Sequence, residues 1–222
     1  MKTVRNFKIG FGLLTMVLSQ LFYSCDDQGI IVKIPTDYFP LMEGTQAVYV
    51  KEFSSISDEA EIWGSDTTTL TIRGDTLIEG ITYKKILNEY GSLEKVVRRQ
   101  GGQYFGRNHE LYGGFSKEFL FLDTSVPVNG SWEHVKNEGR YKTEYVVTEV
   151  NATHIVHGVE YKNVIKVEVN YYEKLAGDSN FELLYSAKHS YANGVGEIYA
   201  YYPYPASNMF SNLKISILPD TK

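Results

Sequence analysis

The chain lacks most of the features that announce a function. It has one cysteine among 222 residues, so it cannot form an internal disulfide. It has no apolar run of the ~20 residues that a membrane-spanning helix needs. Its 27 acidic side chains outnumber its 22 basic ones, and this argues against nucleic acid, which rewards clustered positive charge. Gly-x-Ser-x-Gly, P-loop and His-Glu-x-x-His motifs are missing, so we expect neither an enzyme nor a cofactor.

The first 24 residues are typical of an export signal. Lys2, Arg5 and Lys8 form a basic region, and an apolar stretch runs from Ile9 to Ser24. A charged flank, a short apolar core and a small residue at the cleavage point characterise secretory signal peptides. We therefore predict that residues 1–24 are removed from the mature protein.

The single cysteine, Cys25, directly follows this signal. The segment resembles a bacterial lipobox, because Ser24 supplies the small residue before the cysteine, although Phe22 stands where leucine is usual. Lipidation would account for an odd cysteine in an oxidising compartment. Two or three acyl chains hold a protein stably on a membrane. We predict an outer-membrane lipoprotein held through Cys25; the alternative is an uncleaved anchor with an unmodified cysteine.

The residues after the cysteine are acidic. Asp26 and Asp27 resemble the export signal of surface-exposed Bacteroidetes lipoproteins, which favours the cell surface over the periplasmic face; otherwise they belong to a solvated linker. Without residues 1–24 the chain has 19 Lys and Arg against 27 Asp and Glu, a net charge of −8. This charge argues against adsorption of the domain itself onto anionic lipid. We assign residues 25–37 to the lipidated cysteine and a tether, and residues 38–222 to one domain.

The domain has the periodicity of β-strands. Runs of β-branched and aromatic residues alternate with polar ones and end at Gly, Asn or Asp. One polar face per strand predicts antiparallel pairing with one side in water. We therefore expect a mainly β fold with little helix: one curved antiparallel sheet, as a half-barrel or a sandwich. The clearest runs are Thr67–Arg73, Glu144–Val150, Val164–Tyr172, Leu183–Tyr191, Glu197–Tyr202 and Leu213–Leu218. The segment Lys117–Asp123 fits either a helical turn or a strand.

A weak internal repeat suggests two similar fused β units. Leu77–Ile86 matches Ile155–Val164 without a gap, with identical Gly, Tyr and Lys and corresponding apolar positions. Each copy predicts a β-hairpin that turns at its glycine. The alternative is that any two hairpins look alike.

Several motifs together resemble a family of Bacteroidetes lipoproteins. Its members open with a Phe-Pro-Leu…Gly…Trp-x-Tyr segment and close with a Tyr-x-x-Gly-Val-Gly strand. The corresponding segments here are Tyr38–Leu41, Gly44, Tyr49, Gly130–Trp132, Tyr161–Val167 and Tyr191–Gly196, with Ala47 and Val48 where an aromatic residue is frequent. The resemblance implies a curved half-barrel similar to periplasmic lipoprotein carriers. It implies no settled activity and no catalytic residues.

The histidines do not predict a metal site. His154 and His157 are three residues apart, and on a strand that spacing puts them on opposite faces. A zinc site also needs a third ligand, and the sequence signals none.

The C-terminal part is rich in tyrosine. Tyr199, Tyr201, Tyr202 and Tyr204 lie within six residues of one another, and tyrosines on a wet surface can stack on sugars or peptides. They could equally be half-buried residues of an edge strand. Two hypotheses follow: a carrier that holds an apolar or lipid ligand on a concave face, or a surface protein that binds glycan or a protein through this edge.

Overall fold

We describe the fold from a computed structural model. The structure describes residues 37–55, 59, 61–109, 114–136, 139–175, 177–203 and 212–219. The predicted signal, Cys25, Asp26, Asp27 and Tyr204 lie outside these residues, and those predictions remain predictions. In the described part no helix is long and apolar enough to cross a membrane. That part contains the strands β1 (Gln46–Ser54), β2 (Ile62–Ile78), β3 (Ile81–Leu87), β4 (Leu93–Gln100), β5 (Gln103–Asn108), β6 (Phe119–Asp123), β7 (Ser131–Lys136), β8 (Tyr141–Val156), β9 (Val159–Glu173), β10 (Glu182–Ala192), β11 (Gly196–Tyr202) and β12 (Asn212–Ile217).

All twelve strands belong to one antiparallel sheet, as the sequence predicted. Their order is β6-β5-β4-β3-β2-β1-β12-β11-β10-β9-β8-β7. The sheet curls until its two ends, β6 and β7, approach each other. There the indole N–H of Trp132 donates a hydrogen bond of 2.9 Å to the carbonyl of Leu120. The sheet is thus nearly closed into a barrel, with a seam between β6 and β7 that side chains bridge.

The sheet consists of two six-stranded meanders, β1–β6 and β7–β12. They join where β1 pairs with β12, from Tyr49 opposite Ile217 to Ser54 opposite Asn212. The two matching sequence segments form the turn between the second and third strands of each meander. In both, a non-glycine residue and a glycine with positive φ make the two-residue turn, Glu79-Gly80 and His157-Gly158. The predicted hairpins are therefore confirmed, and they occupy equivalent places.

Both hairpins extend past their neighbours and lie against the outer face of the barrel. The first distal hairpin (residues 73–86) contacts β5 through Glu79, whose carboxylate lies 2.6 Å from the Arg107 guanidinium. The second distal hairpin (residues 151–164) contacts β10 and β12. There the His154 ring lies 2.9 Å from the Ser190 hydroxyl and the His157 ring lies 2.8 Å from the Ser216 hydroxyl. Irregular register between the partner strands accompanies both hairpins, as expected where strands bend.

The segment before β1 closes one end of the barrel. Asp37 binds the β10–β11 turn, because its N–H donates to the Asn193 side chain and its carbonyl accepts from the N–H of Gly194. The Tyr104 hydroxyl donates to the Asp37 carboxylate and accepts from the N–H of Tyr38. Phe39 then packs beside Gly196, where an added Cβ would lie 3.7 Å from its ring. We call this the closed end.

Candidate functional site

The interior of the barrel contains a cavity, the lumen, of about 310 Å³. Barrels of roughly eight strands are just filled by their own side chains, whereas barrels of 16–18 strands leave a channel. Twelve strands lie between these cases, so some unfilled space is expected. The residues that line it come from eight strands and the entry segment: Phe39, Lys95, Val97, Gly106, Asn108, Phe119, Phe121, Lys136, Thr143, Tyr145, Val169, Tyr171, His189, Tyr191, Glu197 and Tyr202.

Aromatic rings form much of the wall. The Phe121 ring of β6 packs at 5.5 Å from Phe39 and at 6.3 Å from Tyr191 of β10, centroid to centroid, so these contacts cross the interior. Small residues beside these rings leave the remaining space open. Gly106 is such a position, because an added Cβ there would lie 3.3 Å from Phe119 and 3.4 Å from Phe121.

Two ammonium groups lie against these rings. The Lys95 ammonium lies 5.5 Å from the centroid of Phe39 and 6.0 Å from that of Phe121. The Lys136 ammonium lies 5.4 Å from the centroid of Phe119. Such distances give cation–π attraction, which strengthens as water is excluded. The Lys136 residue is exposed overall, but burial around its ammonium lowers its pKa.

A histidine and a carboxylate pair inside the lumen. The Nδ1 atom of His189 lies 2.6 Å from Oε1 of Glu197. Burial alone would raise the pKa of Glu197, but the hydrogen bond from His189 and the charges of His189 and Lys95 lower it. The carboxylate is therefore ionised at neutral pH. Because a carboxylate only accepts, Nδ1 carries a proton and Nε2 is left to face other groups.

The Nε2 atom of His189 is buried, and no described residue hydrogen-bonds it. The residue is 8% exposed, and its ring packs against two lumen residues, Tyr191 and Tyr202. A buried polar atom without a partner costs about 1–3 kcal/mol. A group that binds in the lumen can recover that cost.

The potential beside the seam is positive. His134 stands opposite Thr143, a lumen residue, in the β7–β8 ladder. Burial lowers the pKa of His134, and the nearby charges of Lys136 and Lys117 lower it further. A positive potential at this wall favours an anion over a cation.

The predicted tyrosine surface is divided by the fold. Tyr202 lines the lumen, whereas Tyr199 packs on the outer face against the His154 ring at 5.0 Å. Tyr201 donates a 2.6 Å hydrogen bond to the Glu59 carboxylate. The expected edge strand is wrong, because β11 pairs with β10 on one side and β12 on the other. Proline after a strand does not reveal which neighbours that strand has.

The expected opposite orientation of His154 and His157 is also wrong. Ser190, Tyr199 and Ser216 are neighbours across β10, β11 and β12, and both histidines contact serines of this row. His157 lies in the turn, with a φ of 49°. The alternation of side chains along the strand therefore ends before His157. Within the described residues no group of three metal-ligating side chains occurs.

Of the residues that line the lumen, the sequence pointed to Tyr202 as a ligand-contacting residue, but not to the charged ones. Lys95, Lys136 and Glu197 sit in runs where a charged residue on a polar strand face is ordinary. One signal was available in β4. Lys95 lies two residues before the apolar Val97, so both side chains point to the same face of the strand, and Val97 is 1% exposed. A charged residue in phase with a core residue indicates an interior that is not wholly apolar.

Comparison with known proteins gives two structural likenesses. No protein-family model matches the sequence, and no curated protein matches it. The chain is similar to a crystal structure of a candidate lipoprotein from Parabacteroides distasonis, with 11% identity, a TM-score of 0.41, and coverage of 82% of this chain and 97% of that one. It is also similar to a candidate exported protein with a YmcC-like fold from Bacteroides fragilis, with 8% identity, a TM-score of 0.42, and coverage of 81% and 96%.

Proposed function

We propose that this protein is a lipid-anchored envelope protein that binds a small, largely apolar ligand in the lumen of its barrel and catalyses no reaction. The observation that carries this proposal is the aromatic-lined cavity of about 310 Å³ inside a nearly closed sheet. Small-molecule sites occupy ~300–1,000 Å³ and are mostly apolar with a few polar groups. The lumen has a volume at the lower end of that range, and its wall combines aromatic rings with several polar and charged side chains.

The size of the lumen limits the ligand. At ~30 Å³ for each group the size of a water molecule, it holds about ten such groups. This favours one short chain or one small ring system over a lipid with two or more chains. The sequence suggested a carrier with a concave face for an apolar ligand. We propose that this ligand is small.

Binding is a better proposal than catalysis for the pair of Glu197 and His189. A carboxylate that orients an imidazole is also the arrangement of a general base. Such a base acts on a nucleophile within hydrogen-bond reach. Among the described residues no hydroxyl or thiol bonds Nε2 of His189, so the proposal assigns this atom to a ligand.

The proposal is tested by filling the lumen. The mature chain (residues 25–222) with Cys25→Ser would be titrated with decanol by calorimetry and observed by native mass spectrometry. Gly106→Ala and Gly106→Val should weaken binding in steps, because their side chains push against Phe119 and Phe121. Gly64→Val is the matched control: Gly64 is also a strand glycine, does not line the lumen, and has room, with Phe53 at 3.8 Å.

All three variants need a melting curve beside the binding measurement. Loss of binding in a folded Gly106→Val protein, with binding kept in Gly64→Val, would support the lumen as the site. Unchanged decanol binding in Gly106→Val would contradict it and direct attention to the outer surface, including Tyr199 and Tyr201.

A further inference from the structure

The charges in the lumen point to the chemistry of the ligand. We infer that the ligand is a single-chain amphiphile with an anionic head, and that Lys95, Lys136 and His189 bind this head while the aromatic wall holds the chain. The inference rests on the proposed function, since it assigns a ligand class to the same cavity.

The first argument is the balance of charge. Among the described residues that line the lumen, Lys95 and Lys136 have ammonium groups and Glu197 has the one carboxylate. That carboxylate already binds His189 at 2.6 Å. Within the described residues neither ammonium has a carboxylate within 4.0 Å. The lumen therefore has at least one positive charge in surplus, and an anion would neutralise it.

The second argument is the geometry of the ammonium groups. Each lies over a ring face, with Lys95 near Phe39 and Phe121 and Lys136 near Phe119. A ring face attracts a cation but accepts no strong hydrogen bond, whereas an ammonium has three donors. These donors remain available to an anion on the side away from the ring. The Phe119 and Phe121 rings lie 6.4 Å apart, so one apolar surface connects the two lysines.

The third argument is the buried Nε2 of His189, which is independent of the lysines. In the imidazolium form this atom donates to an anionic oxygen. In the neutral form it accepts from a protonated acid. A hydrocarbon alone would leave Nε2 without a partner, and a cationic head would be repelled by the lysines.

The ligand needs a chain as well as a charge. A small inorganic anion would satisfy the lysines but would not cover Tyr145, Tyr171 and Tyr191 in the same cavity. A carboxylate and a phosphate head both fit this chemistry. Separate tests with decanoate and decyl phosphate distinguish a carboxylate head from a phosphate head.

The experiment compares four probes of equal chain length on the Cys25→Ser mature chain by calorimetry: decanoate, decyl phosphate, decanol and decylamine. An anionic head makes charge-assisted hydrogen bonds to the lysines that a hydroxyl head makes more weakly. An anionic probe should therefore bind at least about tenfold more tightly than decanol. Decylamine should bind more weakly than decanol. Equal affinity for decanoate, decyl phosphate and decanol would overturn this inference and leave the proposed function standing. Failure of all four probes to bind would overturn both.

Charge-removing variants locate the effect. Lys95→Gln and Lys136→Gln should each reduce the preference for the anionic probe, and the double variant should abolish it while decanol still binds. Lys162→Gln is the matched control, because Lys162 is 74% exposed on the second distal hairpin and pairs with Glu160. A preference that persists in the folded double variant would contradict the assignment. Should that variant not fold, the four-probe comparison on the unaltered lumen still decides.

Discussion

The two distal hairpins have matching sequences and equivalent places in the fold, yet different interactions hold them. Under the first, Tyr83 donates to the Glu118 carboxylate, and Glu118 accepts two hydrogen bonds of 2.6–2.7 Å from Arg98. Arg107 joins this network through the Tyr83 hydroxyl at 3.1 Å. Under the second, Val156 and Val164 join an apolar cluster with Ala192, Ile198 and Ile217.

The difference shows that the repeated sequence determines where each hairpin lies in the fold, but not which interactions hold it there. Glu79 and His157 are equivalent turn residues, with φ of 53° and 49°. One reaches an arginine of β5 and the other a serine of β12. The residues beneath each hairpin decide the contact, and they differ between the two meanders. The first hairpin should therefore respond most to loss of a charge, and the second to loss of apolar volume.

The largest expected effect on stability is at the Arg98–Glu118 ion pair under the first hairpin. Arg98→Met removes both hydrogen bonds of the bidentate pair and leaves the Glu118 carboxylate partly buried, with a side chain only 21% exposed. Breaking one side of a buried pair costs about 3 kcal/mol, the lower end of the usual range. Equilibrium unfolding in urea measures this loss. Arg140→Met is the control, since Arg140 also contacts a glutamate but is 58% exposed, and it should change stability little. Equal losses in the two variants would contradict a buried anchor.

The next largest effect is in the apolar cluster under the second hairpin, at Val164. Val164 is fully buried, and Val164→Ala removes two methyl groups and leaves a small cavity, at a cost of about 2 kcal/mol. Hydrogen exchange should increase in residues 151–164 and stay unchanged in residues 73–86. Val159→Ala is the control in the same hairpin, because Val159 is 36% exposed. Faster exchange in the first hairpin would show that the two are coupled rather than independent.

The paired turn glycines should give smaller and equal effects. Gly80 and Gly158 have φ of 80° and 78°, and neither has an atom within 4 Å of an added Cβ. Alanine there suffers only backbone strain, about 1–2 kcal/mol. Gly80→Ala and Gly158→Ala should therefore shift the urea midpoint by the same amount. A clear inequality would mean that the two turns are not structurally equivalent.

Alternation in the sequence predicted the strands that have one face in water. It predicted β10, β11 and β12 at nearly their full length but β2, β8 and β9 only in part. The glycine-centred repeat predicted both distal hairpins. It could not predict that these hairpins return to the outer face, because that contact depends on residues distant in the chain. Where a hairpin covers a strand, both strand faces are buried and alternation disappears, as at Val96 and Val97, which are 0% and 1% exposed.

The lumen could be predicted only in part. The strand pattern and the resemblance predicted a curved sheet, but not whether that sheet encloses a cavity. The polar groups of the lumen depend on register as well. A shift of one residue would move Lys95 and Glu197 to the outer face. Register is set here by bulges such as the one between Ser190 and Tyr191, and these leave no clear pattern in one sequence.

The smallest expected effect is a difference in the pH at which the two hairpins lose stability. Burial lowers the pKa of His154 in the second hairpin below its ordinary 6.5, as does the charge of Lys166, while Glu149 opposes them. The folded state thus binds its proton at lower pH than the unfolded state. Stability from this group is present above pH 6.5 and decreases as the pH falls from 6.5 towards the lowered pKa.

The first hairpin should respond only in more acidic solution. Burial raises the pKa of Glu118, but its hydrogen bonds from Arg98 and Tyr83 outweigh burial and bring the pKa below its ordinary 4.5. Stability from this carboxylate is present above 4.5 and is lost as the pH falls through the lowered pKa. Hydrogen exchange, corrected for the intrinsic pH dependence, should therefore increase first in residues 151–164 and later in residues 73–86. His154→Gln should remove the first step alone. Simultaneous loosening of both hairpins in the unaltered chain would show that one cooperative unit, rather than two separate anchors, holds the outer layer.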